Sequence, residues 1–356
     1  MLGIDKRAAQ YTWTAALVLL LFWLLYLMRT TLFVFIVALL FAYLLAPLVN
    51  IIDRLLPGSR TRTPALALAY LIFIALLYVG VTQIGERIFD QANSFGKSVP
   101  ALLATWQQPS KTASPALNSF KAQIIQKVRE QVSKSSGDII AAIPRAGVKI
   151  LSLASNLIFV VIVPILGFFF LKDGRDIVAQ FVEMVEDGPR RSLLDDLLAD
   201  TSLLLAHYMR AILLLSLAAF TAYSIFFYIL QVPYSFLLAA LAGALEFIPM
   251  IGPLTAGAVI LIVTGVSGGP LLSALIFLIV YRVFQDYVLS PQLMRAGVEL
   301  HPLFVLFGVF AGAEIAGIPG AFLSVPVLAI VRIFYRRIRQ VRVLSRRPVV
   351  KPVLAP

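Results

Sequence analysis

Two short polar interruptions in otherwise apolar sequence carry the residue types that could do chemistry. In "ALEFIPMIGPLTAG", Glu246 is followed by Pro249, Gly252 and Pro253; in "FAGAEIAGIPGAF", Glu314 is followed by Gly317 and Gly320. A carboxylate inside an apolar layer is expensive unless paired, and by default it marks an ion, proton or substrate path. Proline and glycine beside it break the helix and allow close backbone approach. The N–H and C=O groups freed at such a break can coordinate a cation or a polar solute. Glu246 then either couples transport or merely caps the freed N–H groups, a contribution of about 1 kcal/mol. A third polar group, Arg282, Gln285 and Asp286, falls at i, i+3 and i+4, nearly on one helical face. Arg282 and Asp286 either neutralise one another, or Gln285 and Asp286 form a polar wall of a path beside the first interruption. Glu314 is either a second coupling carboxylate or the partner of Arg295.

The elements that hold these residues follow from composition and length. Of 356 residues 60% are hydrophobic and only 13% charged, which excludes an ordinary soluble domain and gives a polytopic membrane protein. The net charge of +12 sits at the edges of apolar runs and in "RIFYRRIRQVRVLSRRPVVK", where it anchors cytoplasmic ends and attracts anionic lipid; nucleic acid is not the expected partner. Cysteine is absent and only His207 and His301 are available as imidazoles, so neither a metal site nor a cofactor is expected. Both histidines fall at helix entrances, which favours an interfacial role over ligation.

The segment from Pro233 to Val266 would be roughly 50 Å long as one helix, against a hydrocarbon core of about 30 Å. Broken at "FIPMIG", it becomes two arms of about 15 residues, each roughly 22 Å and too short to cross alone. A re-entrant hairpin follows, its tip facing the protein interior, because irregular backbone at membrane depth needs protein or water partners. A second segment repeats the order: Pro233, Glu246 and Gly252 correspond to Pro302, Glu314 and Gly320, and each set follows one plain span. Two such units of opposite orientation make an inverted repeat. Eight conventional crossings with two kinked helices are the competing arrangement.

The expected fold is an all-α membrane protein with about six full transmembrane helices and two re-entrant hairpins, which hydropathy alone counts as eight spans. Residues 1–85 form a three-span region beginning after the cytoplasmic Lys6 and Arg7. Residues 86–149 turn polar, with apolar positions at helical spacing, and form a small extracytoplasmic helical insertion. Residues 150–172 are a fourth span kinked near Pro164 and Gly167, 173–206 are cytoplasmic amphipathic helices, 207–335 the transport core, and 336–356 a basic cytoplasmic tail.

Enzyme motifs are weak. "GVSGG" at residues 265–269 matches a nucleophile-elbow pattern, but that elbow needs a strand before a helix, and no zinc-binding or phosphate-binding motif is present. By contrast "ALEFIPMIGPL", "FQDYVLSPQLM", "VELHPLFVLFGVFAG" and "GIPGAFLSVPVLAIV" resemble, in order and spacing, the autoinducer-2 exporter family of bacterial membrane transporters, over the whole chain. The resemblance implies a bacterial inner-membrane transporter and homo-oligomers, expected as pentamers, with members linked to autoinducer-2 export and others to sodium–proton antiport. Met250, where the family has an aromatic, and Ala313–Glu314, where it has a small or apolar pair, depart from the pattern. Lipid bilayer and a small polar solute, proton or sodium ion are the expected partners. A membrane scaffold, in which the hairpin tips serve only packing, is the alternative of another class.

Overall fold

Apolar residues at helical spacing, without a run of alternating polarity, leave helices as the only regular structure, and every described element is one. The computed structural model describes residues 6–56, 61–106, 161–293 and 300–345. Among these are six helices long and apolar enough to cross a membrane, counting as one the stretch from Pro302 to Arg339 that bends at Gly317, and two shorter apolar helices, Ser235–Leu245 and Ile251–Val266. Most of the expected 86–149 insertion and the first half of the expected fourth span lie outside the described residues.

Helix α1 (Lys6–Leu27) is apolar on all sides and exposed along its span, as a helix surrounded by lipid would be. Helix α2 (Arg29–Leu55) buries Ala38, Ala42, Leu45 and Val49 against α3 (Thr63–Val79) and α5 (Val163–Glu183). Gly167 of α5 lets Phe41 close in, since a methyl there would lie 2.7 Å from the ring. Tyr70 reaches across to donate its hydroxyl to Pro164 O at 2.9 Å. The chain continues from α3 through a π-helical turn, Gly80–Gly85, into α4 (Glu86–Trp106) without leaving the helix. The boundary expected at residue 85 therefore falls inside a continuous helix.

Helix α6 (Pro189–Ile229) has 41 residues, about 62 Å, or twice a hydrocarbon core. Its first turns carry Arg190, Arg191, Asp195, Asp196 and Asp200, while the part beyond Arg210 is apolar, so one helix combines a charged arm with a stretch apolar enough to span. Residues 173–183 continue α5 in the same way. Across the arm, Arg337 grips Asp200 at 2.6 Å and Asp196 at 3.0 Å.

After α6 the chain reverses through Gln231 and Tyr234, both at positive φ, into α7 (Ser235–Leu245), then α8 (Ile251–Val266) and α9 (Leu271–Phe284). α7 lies along α6, close enough that Ser216 donates its hydroxyl to Gly243 O at 2.7 Å. Gly269 packs against Pro233, although all of α7 and α8 lies between them. The ends of this segment thus meet: α7 and α8 are the arms of a helical hairpin. From α9 a π-helical turn, Gln285–Leu289, leads into the short α10 (Ser290–Leu293).

The last element, α11 (Pro302–Ser345), is also a hairpin. Its backbone leaves helical geometry at Ala316 and Gly317, the latter at φ 65°. Gly312 and Gly320 then pack backbone to backbone, and a Cβ at Gly308 would lie 3.6 Å from that of Ser324, which a straight helix would carry about 24 Å away.

Candidate functional site

The first hairpin turns at Glu246–Met250. Ile248 donates its N–H to Leu245 O, Gly252 donates to Ile248 O, and Ile251 donates to Pro249 O at 2.8 Å around Met250 at φ 66°, ψ −56°. That bond across one residue, with those angles, is a γ-turn of the rare positive-φ kind, a strained conformation for a residue with a side chain. Gly252 is required by space: any Cβ there would collide with Leu245 O. Pro249 and Pro253 stand on either side and deny the turn the N–H groups that would let the helix run through.

Glu246 closes α7 and is buried. Gln285, 3% exposed, donates Nε2–H to Glu246 Oε2 at 2.7 Å from the first residue of the π-helical turn after α9. An extra residue per turn rotates the side chains that follow, and such bulges concentrate at functional sites. Arg282 and Asp286 pair with each other, Nε to Oδ2 at 2.8 Å, on a more open face of the same helix. Gln285 thus faces the hairpin tip, while Arg282 and Asp286 form an ion pair.

Tyr223, Tyr281, Arg282 and Asp286 all lie within electrostatic reach of Glu246. The Tyr281 hydroxyl is buried without a hydrogen-bond partner among the described residues. Tyr223 and Tyr281, rings 5.0 Å apart, belong to an aromatic group with Phe226, Phe227 and Phe277 that fastens α9 to α6. Tyr281 stands one turn before Gln285, so the polar i, i+4 pair was available in the sequence; Tyr223 and the Met250 turn gave no comparable signal. The base of the hairpin is held separately. Gln91 of α4 accepts the Leu237 N–H at 3.0 Å, and Phe95 packs edge-on against Tyr234.

The second hairpin places its residues differently. Glu314 and Gly317 are exposed at the tip and Gly320 lies between the arms. Glu314 has no ion pair among the described residues, and Arg295 lies outside them. The two hairpins touch just beside their tips, where Phe247 meets Phe322 edge-on at 5.8 Å. His301 accepts the Leu303 N–H at its own helix start, and His207 Nδ1 lies 2.8 Å from Leu203 O; both bonds are local. An open cleft of about 460 Å³ lies elsewhere, between the ends of α5 and α6 around Glu183, Asp187 and Arg191.

Long apolar helices combined with broken ones, and a carboxylate enclosed at a break, are the build of a multi-pass membrane transporter. The profile of the AI-2E family transporters matches residues 15–340, and the chain belongs to that family. The resemblance carried by "ALEFIPMIGPL" and its companion motifs is borne out. The chain is 27% identical over 326 residues to YueF of Bacillus subtilis, with 88% of each chain covered. It is 23% identical to YrrI of the same organism, covering 88% of this chain and 87% of the relative. A protein of Methanothermobacter thermautotrophicus is 25% identical, covering 79% and 80%. All three are classed provisionally as transport proteins.

Proposed function

We propose that the chain is a secondary transporter that exports a small polar solute by gradient-coupled or facilitated efflux, with Glu246 as its coupling group. The observation that carries this is the buried Glu246–Gln285 hydrogen bond at the helix break. An amide can donate to a carboxylate and, turned over, accept from a carboxylic acid, so Gln285 can hold Glu246 in either protonation state. A lysine or arginine at that position would hold only the charged form. The same neutrality favours a second reading, sodium–proton antiport, in which Glu246 exchanges a proton for a cation. Autoinducer-2-like signalling molecules are the cargo class to test first.

In this reading both hairpins are re-entrant. The first enters from the outer side beside α4, and the second enters from the cytoplasmic side, where Arg332, Arg336, Arg337 and Arg339 collect. The arms of the first support its part of this reading: α7 and α8 have 11 and 16 residues, about 16 and 24 Å, each short of a full crossing. Both chain termini are then cytoplasmic, in a bacterial inner membrane, with residues beyond α4 as the extracytoplasmic insertion. Gln285, Asp286, Pro249, Gly252 and Pro253 shape the path around Glu246; the protein works as a homo-oligomer.

The test is flux from proteoliposomes under imposed proton and sodium gradients, with autoinducer-2 and small polar solutes as cargo, for native protein, Glu246→Gln and Asp286→Asn. Gradient-driven flux that disappears in a correctly folded Glu246→Gln is the expected result. Unchanged flux in both variants would remove these carboxylates from the mechanism, and no flux for any cargo would leave the scaffold alternative standing.

A further inference from the structure

We propose that Glu314 of one copy pairs with Arg282 of the next, in a head-to-tail contact between the second hairpin and α9. The proposal rests on the re-entrant reading of that hairpin. On its incoming arm Leu303, Phe307 and Phe310 are 60–70% exposed and line up with exposed Glu314 at spacings of four, three and four. On α9 Leu272, Ile276, Ile279 and Val283 are 51–70% exposed and line up with Asp286 at four, three, four and three. This is the spacing of a helix–helix seam. Each stripe is apolar along its length and charged at one end, and neither is covered by the described residues of one copy.

Depth brings the charged ends level. Arg282 lies about 16 Å along α9 from its outer end, and Glu314 about 18 Å along its arm from the inner end. In a core of about 30 Å the two fall within about 5 Å of one another near the midplane. Lipid is a poor neighbour for Glu314 and the half-exposed Arg282–Asp286 pair at that depth, and a water-filled cavity would not be walled by leucine, isoleucine and phenylalanine. A guanidinium has five N–H donors, more than Asp286 alone can absorb, which leaves capacity for a second carboxylate. The complementary stripes sit on different faces of one chain, so the contact is heterologous and repeats around a ring. Because Arg282 is also within reach of Glu246, the neighbour's carboxylate adjoins the coupling site.

The chain contains no cysteine, so engineered thiols report without background. Antiparallel alignment puts Phe310 level with Tyr287, both exposed, and a disulfide needs Cα atoms within about 7 Å. Phe310→Cys with Tyr287→Cys, oxidised in native membranes, is expected to give a ladder of cross-linked species from dimer upward. Phe310→Cys with Leu272→Cys, about 20 Å apart in depth, is expected to give none. Adding Glu314→Lys to the first pair is expected to lower the yield at least about ten-fold, through like charges facing Arg282. No ladder, an equal ladder in the control pair, or a yield indifferent to Glu314→Lys would overturn the proposal. Side-specific labelling of His301→Cys and Tyr335→Cys separates the two levels. Labelling from one side without a ladder sinks this contact alone, whereas labelling from opposite sides sinks the hairpin reading with it.

Discussion

The two hairpins solve the same backbone problem by opposite means. At the first tip a residue with a side chain, Met250, is held at positive φ, and the surroundings enclose it: Glu246 is 9% exposed and bonded to Gln285. At the second tip a glycine, Gly317, takes the positive φ in open space, and the carboxylate beside it is exposed. Strain is retained only where neighbouring structure over-determines it. The first tip is thus an enclosed polar site, and the second an exposed one. Equal spacing in sequence does not make equal environments.

Substitutions at the close approaches should hurt both hairpins most. Gly252→Ala must displace the Leu245 carbonyl and Gly312→Ala must push apart the two arms, each costing about 4 kcal/mol in thermal unfolding of the solubilised protein. If either is tolerated, that hairpin is looser than its geometry. Gln285→Leu separates the hairpins: it leaves Glu246 without its partner and should cost about 2 kcal/mol. Glu314→Gln, by contrast, should shift the isolated copy by less than about 0.5 kcal/mol. Similar losses for the two would erase the distinction between enclosed and exposed tips. Gly317→Ala meets no neighbour within 4 Å, so its cost of about 1–2 kcal/mol would measure backbone strain alone. Smaller than that is Arg337→Ala. The partly exposed network with Asp196 and Asp200 should be worth about 1 kcal/mol or less, shrinking further at 1 M salt, where the Debye length is about 3 Å.

The breaks were legible because proline and glycine act locally, and the shortness of the arms was legible because helix rise is a fixed length. The meeting of Glu246 and Gln285 was legible only as one of two alternatives. Spacing placed Arg282, Gln285 and Asp286 on a common face, but the π-helical turn beginning at Gln285 rearranges that face, and no composition rule announces it. Other long-range partners were invisible. Asp196, Asp200 and Arg337 read as scattered charges, since nothing local links the start of α6 to the end of α11. The projecting arm was likewise read as separate amphipathic helices. Charge marked where the apolar layer ends but not whether the helix ends there, and α5 and α6 both run on.

The unequal short arms also set an order of assembly. A segment entering a bilayer alone must satisfy its own length, and α7, at about 16 Å, cannot. It can remain only if α6 is already in place to receive Gly243 against Ser216, and α8 only once Gly252 has closed under Leu245. Synthesis from the N-terminus delivers them in that sequence. In the re-entrant reading the hairpin is built by templating on an earlier helix, and a defect along α6 should surface as failed insertion of residues made after it.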